Sequence, residues 1–421
     1  MSVFAPVTSL RWLFLDLNSF FASCEQDHNP ALRGKPVAVV PMMSDGTCAI
    51  AASYEAKAYG IKTGTKIYEA KQMCPNLICV QARHDLYVHY HHKIINEVIK
   101  HTPINKICSI DELSSRLPPD KQNRTDVLRI ARAIKQGLHD HVGPMIKASI
   151  GIAPNAYLAK IATDLQKPDG LVIIDPPYIP AILGDLNLTD LPGINVRMKA
   201  RLNKARIYSP LQFHALNPKQ ARAVWGSVDG EKLWYRLHGY DLPETETNRS
   251  VVGHSRVLDL EHRNPSVARL VLRRLTVKAA TRLRRMNLYA ARVHIALKTT
   301  DGEYGESAIK ISPTHDNFIM LTAMDSLWDD IMLTLKPFRL KKVSVTFFDL
   351  YETKDITDDL FESLKTKTQK PLSALDHALD ILNQKYGAET VRIGLSPQTS
   401  AGFVGTKIAF NRIPDMEEFA E

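Results

Sequence analysis

Cysteine is sparse and lopsided in this chain of 421 residues: there are five, Cys24, Cys48, Cys74, Cys79 and Cys108, with none after residue 108. Their number is odd and no CxxC pair occurs, so neither a disulfide framework nor a thiolate zinc site is expected, and the thiols read as structural. No apolar run approaches the length that crosses a bilayer, and the start of the chain lacks the basic stretch and small-residue cleavage site of a secretory signal. The expectation is a cytoplasmic protein with no membrane partner. Repeats and low-complexity tracts are also missing. Acids are outnumbered: 45 Asp and Glu face 54 Lys and Arg, a formal charge of +9. That balance favours a polyanionic partner, although charge alone does not separate nucleic acid from an anionic lipid surface.

The hydrophobic content of 44% is that of an ordinary globular protein, and the length calls for about three or four domains. Over the first 175 residues, strand-like runs ("LRWLFLDL", "KPVAVV", "KICSIDELSS", "MIKASIGIA", "GLVIID") alternate with helical segments, an α+β arrangement. Residues 176–240 change to short helices joined by Pro-containing loops, and the polar "YDLPETETNRS" reads as a linker. Beyond it the periodicity predicts β-α-β-β-α-β, a compact domain in itself. The last 65 or so residues hold one good helix, "PLSALDHALDILNQKY".

Acids in apolar strands are the chemically informative feature. Asp16 ends the run "LFLDL", and Asp111 and Glu112 interrupt "KICSIDEL". Adjacent side chains on a strand point to opposite faces, so Asp111 and Glu112 can share a site only at a bend, which "SIDELSS" followed by "RLPPD" would supply. Three carboxylates brought together repel and need a cation among them. Hard oxygen ligands without His or Cys select Mg²⁺ or Mn²⁺. Read singly, each acid is better explained by a capping or solvated-hairpin role, and spacing alone does not overturn that.

Cationic and amide donors lie near these acids in sequence. The chain after Asp16 enters a helix at Asn18–Ser19, whose first free amides make an anion site. Tyr54 and Lys57 in "YEAKAYG" share a helix face. In "SIGIAPNAYLAKIATDLQKPDG" the buried stripe is Leu158, Ile161, Ala162 and Leu165, with Lys160 off it and Lys167 at the helix end.

Taken in order, "LDLNSFFASCE", "YEAKAYGIKTG", "SIDE", "SIGIAPNAYLAKIATDLQKPDG" and "LPGI" resemble the Y-family DNA polymerases, which copy damaged templates, and look closest to the UmuC/DinB-type bacterial branch. The resemblance covers about 350 residues. It implies a right-hand polymerase: a ferredoxin-like palm (1–19 and 85–173), small fingers (20–84) and a helical thumb with a helix-hairpin-helix (174–240). A linker (241–250), a little finger (251–352) and a C-terminal tail (353–421) would follow. It also implies two Mg²⁺ ions, replaceable by Mn²⁺, held by Asp16, Asp111 and Glu112 with the carbonyl of Leu17. Tyr54, Lys57, Lys167 and the amides of Phe20 and Phe21 would cradle the triphosphate of a deoxynucleotide, and Phe21 would be the steric gate against ribose.

Primer–template DNA is the implied partner of a monomeric enzyme. Gly193 and Asn195 of "DLPGINVRMKARL" would form the phosphate-binding hairpin, with Asn195 tolerating a left-handed turn. The basic side of "SVARLVLRRLTVKAATRLRRMN", including Arg273, Arg282 and Arg285, would lie along the duplex. Leu360 and Phe361 in "TDDLF" (357–361) stand where the branch has a segment that docks on the sliding clamp. Three departures stand out: Asn18 where a second Asp is common, Lys57 where Arg is common, and "LSSRL" with Arg116 after "SIDE". A catalytically silent DNA-binding adaptor and a nucleotidyl cyclase are the rival readings.

Overall fold

A computed structural model describes residues 5–243, 250–352, 373–387 and 390–394. The chain forms two compact units that divide between residues 244 and 245.

The first unit is organised by β1 (Trp12–Leu17), the central strand of a five-stranded sheet in the order β5–β6–β1–β7–β8. Its neighbours β6 (Glu112–Arg116) and β7 (Ala148–Ala153) are antiparallel to it, and β5 (Lys106–Ile107) and β8 (Leu171–Ile173) form the edges. All six residues of β1 are buried, because both faces of the sheet are covered. Leu13, Leu15 and Leu17 pack with Tyr87, Val88 and Ile94 of α4 (His84–Ile99) and Val127, Ala131 and Ile134 of α5 (Arg124–Gly137). Trp12 and Phe14 point the other way, onto Leu158, Ile161 and Ala162 of α6 (Ala156–Leu165). By strand alternation Asp16 belongs to this second face, next beyond Phe14. Gly151 lets α6 come this close to β7: a Cβ there would lie 2.0 Å from the carbonyl oxygen of Ala159.

Helix α1 (Phe20–His28) leads from β1 into a three-stranded sheet of β2 (Val37–Val40), β3 (Ala51–Ala52) and β4 (Ile78–Gln81), in the order β3–β2–β4. Helices α2 (Tyr54–Lys57) and α3 (Ile67–Met73) cover it, burying Ala56, Ile61, Ile67 and Ala70 against Ala38, Val40 and Ala52. Five short helices follow: α7 (Ile179–Gly184), α8 (Val196–Lys204), α9 (Pro210–His214), α10 (Pro218–Trp225) and α11 (Val228–Leu237). They close over Leu202, Phe213, Leu233 and Leu237. The expected linker starts later than its polar composition implied. Asp241 accepts a hydrogen bond from Trp12 Nε1 at 2.9 Å, which anchors it to the first unit.

The second unit is a four-stranded antiparallel sheet in the order β11–β10–β12–β9. Its strands are β9 (Val252–Val257), β10 (Leu288–Thr299), β11 (Tyr304–Thr314) and β12 (Leu340–Glu352), with α12 (Pro265–Arg285) and α13 (Asn317–Leu335) between them. This is the β-α-β-β-α-β order expected from sequence. Val293, Ile295 and Leu297 of β10 and Val343, Val345 and Phe347 of β12 pack with both helices on one face. The helix read in the tail, Ser373–Tyr386, docks on this unit: Asp376 is fully buried and accepts from Asn317 N and Nδ2 at 2.9 and 2.7 Å, at the start of α13. The candidate clamp segment with Leu360 and Phe361 lies outside the described residues.

Candidate active site

Asp16 and Glu112 face each other directly across the β1–β6 ladder. Like charges in that position destabilise a sheet, yet both reach the same cation. Lys160 Nζ, from α6, lies 2.5 Å from Asp16 Oδ2 and 2.8 Å from Glu112 Oε1. Asp111 stands beside them in the turn between β5 and β6, its Oδ1 accepting from Ser109 Oγ at 2.5 Å. The bend that lets Asp111 and Glu112 serve one site is this tight turn: Cys108 and Ser109 both donate their amides to Glu112 O, at 2.9 and 3.1 Å. It precedes Glu112, so the downstream bend expected at "RLPPD" is not the one used. His91 Nδ1 meets Ile110 O at 2.7 Å and braces the turn from α4. Arg116, the departure after "SIDE", sits at the opposite end of β6, pairs with Asp241 at 3.3 Å and leaves the turn untouched.

Lys167 Nζ lies 2.8 Å from Asp16 Oδ1 and 2.8 Å from Asp164 Oδ1. It is placed by the loop after α6, which ends at Leu165 rather than at Lys167. Leu165 is correspondingly exposed and is not part of the buried stripe, because the last turn of α6 runs past the edge of the core. Asn18 fixes this loop. Its Oδ1 accepts from Asp169 N at 2.7 Å and its Nδ2 donates to Ser149 Oγ at 3.0 Å, which an amide does with one side chain. The Asn in place of the common Asp thus has a structural use here.

Charges in the cluster tune one another. Burial pushes the Asp16 carboxyl up, but Lys160 and Lys167 outweigh it and hold it below the usual range. Burial raises the pKa of Glu112 despite Lys160, with Asp16 and Asp111 adding to the rise. Asp111 is raised too, first by burial and then, against the Ser109 hydrogen bond, by Asp16. Burial opposes the charges of Lys160 and Lys167, and their carboxylate partners reverse it, so both are raised.

Tyr54 and Lys57 sit on the one-turn helix α2, with Lys57 Nζ 4.4 Å from the centre of the Tyr54 ring. Burial and the charge of Lys167 lower the Lys57 pKa, while burial raises that of Tyr54. Both residues feel Asp16, so the sequence-predicted cationic group does gather beside the acids. Phe20 is buried, whereas Phe21 is half-buried and stacks on Tyr87 with ring centres 4.3 Å apart. Tyr87 in turn donates to the fully buried Glu25 at 2.8 Å, and Arg83 closes the same carboxylate.

Sequence reasoning missed Lys160, Asp164, Ser109 and the Glu25–Arg83–Tyr87 support. The one available signal was that Lys160, Asp164 and Lys167 recur at i, i+4, i+7 off the apolar stripe. A cleft of about 410 Å³ runs from Lys160 and Asp164 to the turn 189–195. In that turn Gly193 has φ +91°. Asn195 is not left-handed: with φ −88° it is the extended N-cap of α8, and its Oδ1 accepts from Arg197 N and Met198 N at 3.0 and 2.9 Å.

In the second unit the basic side of α12 is largely compensated. Arg269 pairs with Asp325 and Asp329 of α13, both at 2.8 Å, and Arg273 also pairs with Asp325. Arg284 pairs with Asp380 at 2.6 Å. Arg273, expected along the duplex, thus has an acidic partner within the second unit. Arg282 and Arg285 lie in its last turn. A basic pair occurs instead on the sheet face away from the helices, where Lys298 is in register with Lys342, while Arg292, in register with Lys310, pairs with Asp349 at 3.1 Å.

The donor set of Asp16, Asp111 and Glu112 is all carboxylate, and two of its members already converge on one positive charge. It fits a divalent cation of the Mg²⁺ and Mn²⁺ class. Among the described residues no three His, Cys, Asp or Glu side chains are gathered at one metal-sized point.

Residues 15–164 match the impB/mucB/samB family and residues 249–360 match that family's C-terminal domain. A DNA polymerase IV of Moorella thermoacetica is 31% identical over 93% of this chain and 96% of its own length. DNA polymerase IV 1 of Bacillus subtilis is 28% identical over 90% of this chain and 91% of its own. A Y-family DNA polymerase chimera of Dbh and Dpo4 superposes with a TM-score of 0.68 at 25% identity, over 81% of this chain and 99% of that one. An insertion ternary complex of Dbh DNA polymerase gives 0.53 at 25% identity, over the same shares of the two chains. Polymerases of this family generally use divalent metal ions. With a right-hand palm carrying its acids on adjacent strands, and both family domains matched in order, the chain belongs to the Y family of DNA polymerases, in the impB/mucB/samB group.

Proposed function

We propose that the chain is a DNA-directed DNA polymerase of low fidelity that extends primers past damaged template bases. Asp16, Asp111, Glu112 and the Leu17 carbonyl would hold two Mg²⁺ ions, with Mn²⁺ as a substitute. The observation that carries this reading is the convergence of Asp16 and Glu112 on a single positive charge, with Asp111 in the adjoining turn. Held by these residues, the ions would supply Lewis-acid activation for a primer 3′-hydroxyl and charge neutralisation for the departing pyrophosphate.

The chain's own residues orient the substrate. Lys167, Lys57 and the Tyr54 hydroxyl line the side of the acids from which a triphosphate would approach, and the first amides of α1, at Phe20 and Phe21, add donors. These positive groups are in place before negative charge develops, so no reorganisation is needed during transfer. Phe21, backed by Tyr87, is a plate under the sugar and the proposed gate against a 2′-hydroxyl.

Duplex phosphates are met by the Gly193 turn and by the uncovered sheet face of the second unit. Lys298 opposite Lys342 is a repulsive pair that a polyanion relieves. Clamp docking through Leu360 and Phe361 rests on their being an apolar pair in a polar stretch of sequence.

The test is incorporation of one deoxynucleotide opposite undamaged and abasic templates, with and without Mg²⁺. Extension that depends on Mg²⁺ and falls at least about a thousandfold in Asp111→Ala supports the reading, a loss equal to several kcal/mol of barrier. No extension by the unaltered protein favours the silent adaptor, and template-independent formation of a cyclic nucleotide favours a cyclase.

A further inference from the structure

We propose that Lys160 is a displaceable internal cation of the metal site: its ammonium holds Asp16 and Glu112 together until a divalent ion replaces it, and Asp164 receives it afterwards. The proposal rests on the metal-binding reading of the acids given above.

Two observations carry it. First, Asp16 and Glu112 are cross-strand partners in register, so some positive charge must stand between them for the strand ends to stay paired. Second, Lys160 supplies that charge from an unusual depth. A lysine on a helix ordinarily meets an acid four residues away, and here that acid is Asp164, on the outer side. Lys160 instead passes over the Phe14 ring, 5.4 Å from its centre, to reach strands β1 and β6. The close packing of α6 on Gly151 makes this reach possible.

An ammonium 2.5 Å from Asp16 Oδ2 and a divalent ion bonded to that oxygen cannot coexist, since two like charges at such separation repel strongly even in a partly solvated site. Entry of the ion therefore ejects Lys160. The Asp164 carboxylate, already 3.7 Å from Lys160 Nζ, is the nearest place for it to go. Lys167 is not exchanged in the same way, because it binds the other oxygen of Asp16 and is shared with Asp164 from outside the Asp16–Glu112 gap. Lys160 is thus a positioning residue, which keeps the acids charged and in register and sets how tightly the site takes its ion.

The experiment is Mn²⁺ titration of the full chain by electron paramagnetic resonance, with thermal unfolding in EDTA and in Mn²⁺. Lys160→Met should bind Mn²⁺ at least about tenfold more tightly, the factor expected for removal of one charged hydrogen-bond competitor. It should also unfold at lower temperature than the unaltered protein in EDTA, with the gap closing in Mn²⁺. Lys160→Arg restores the cation and should restore the weaker binding. Asp164→Asn, which removes the receiving carboxylate and spares the Asp16 contact, should weaken Mn²⁺ binding and stands as the test if Lys160→Met fails to fold. Equal or weaker Mn²⁺ binding by Lys160→Met overturns the role of Lys160 alone. Mn²⁺ bound by neither protein, or bound undiminished after Asp16→Asn, overturns the metal reading of the acids and this proposal with it.

Discussion

Phe21 takes its rigidity from a residue far along the chain. Its ring stacks on Tyr87, whose hydroxyl is tied to Glu25, and Glu25 is buried with no exposed surface and closed by Arg83. A shape filter works only if it cannot yield, so the proposed gate would be a four-residue unit rather than one aromatic. Phe21→Ala should therefore raise ribonucleotide incorporation relative to deoxyribonucleotide by at least about tenfold, and Tyr87→Leu should raise it partway with Phe21 still present. Paired single-turnover measurements with the two sugars check both, and unchanged selectivity in Phe21→Ala removes the assignment. Asp16, Phe21 and Lys167 were legible as single residues because each stands at a motif's fixed offset. Lys160 was marked only by its i, i+4, i+7 spacing with Asp164 and Lys167, because its partner Asp16 is 144 positions away.

Element packing decides whether those residues meet at all. Helix α6 carries Lys160 and Asp164 and leads into Lys167, and its height above β7 is set by Gly151. Gly151→Ala would drive a methyl into the Ala159 carbonyl and should cost about 1–3 kcal/mol of unfolding free energy, measured by urea titration, with nucleotide affinity falling in step. The His214 ring of α9 stacks face to face on His238, just past the end of α11, which stacks on Trp234 of α11, each pair with centres 3.7 Å apart. Burial, followed by the neighbouring His238, lowers the His214 pKa from 6.5 to about 4. A histidine whose folded pKa is depressed contributes stability above its unfolded pKa and loses it as pH falls toward the folded value. Unfolding free energy should therefore decline between pH 6.5 and 4, and His214→Gln should flatten that part of the profile. The apolar stripes of these helices were readable from spacing. The histidine stack was not, since 24 residues separate rings that only the bundle brings together.

Across the whole molecule, the positive charge seen in composition gives a partner class but not a binding face. The β-α-β-β-α-β order of the second unit followed from periodicity, and so did the buried side of α12. What periodicity cannot show is which charges tertiary contacts cancel: Asp325 and Asp329 come from α13 and Asp380 from the C-terminal helix, and together they occupy Arg269, Arg273 and Arg284. The uncovered sheet face bears Lys298 in register with Lys342 instead, a like-charged pair that costs stability. The two surfaces make opposite predictions in one measurement, the dependence of DNA affinity on salt. Each lysine that neutralises a phosphate contributes about 0.9 to the slope of log K against log salt concentration. Lys298→Ala with Lys342→Ala should therefore lower that slope by about 2 and weaken binding to every sequence alike. Arg273→Ala should leave the slope unchanged and reduce the stability of the unit, because it breaks a bond to Asp325 rather than to DNA. A slope that falls with Arg273→Ala and holds in the lysine pair would return the duplex to the helix side of the sheet.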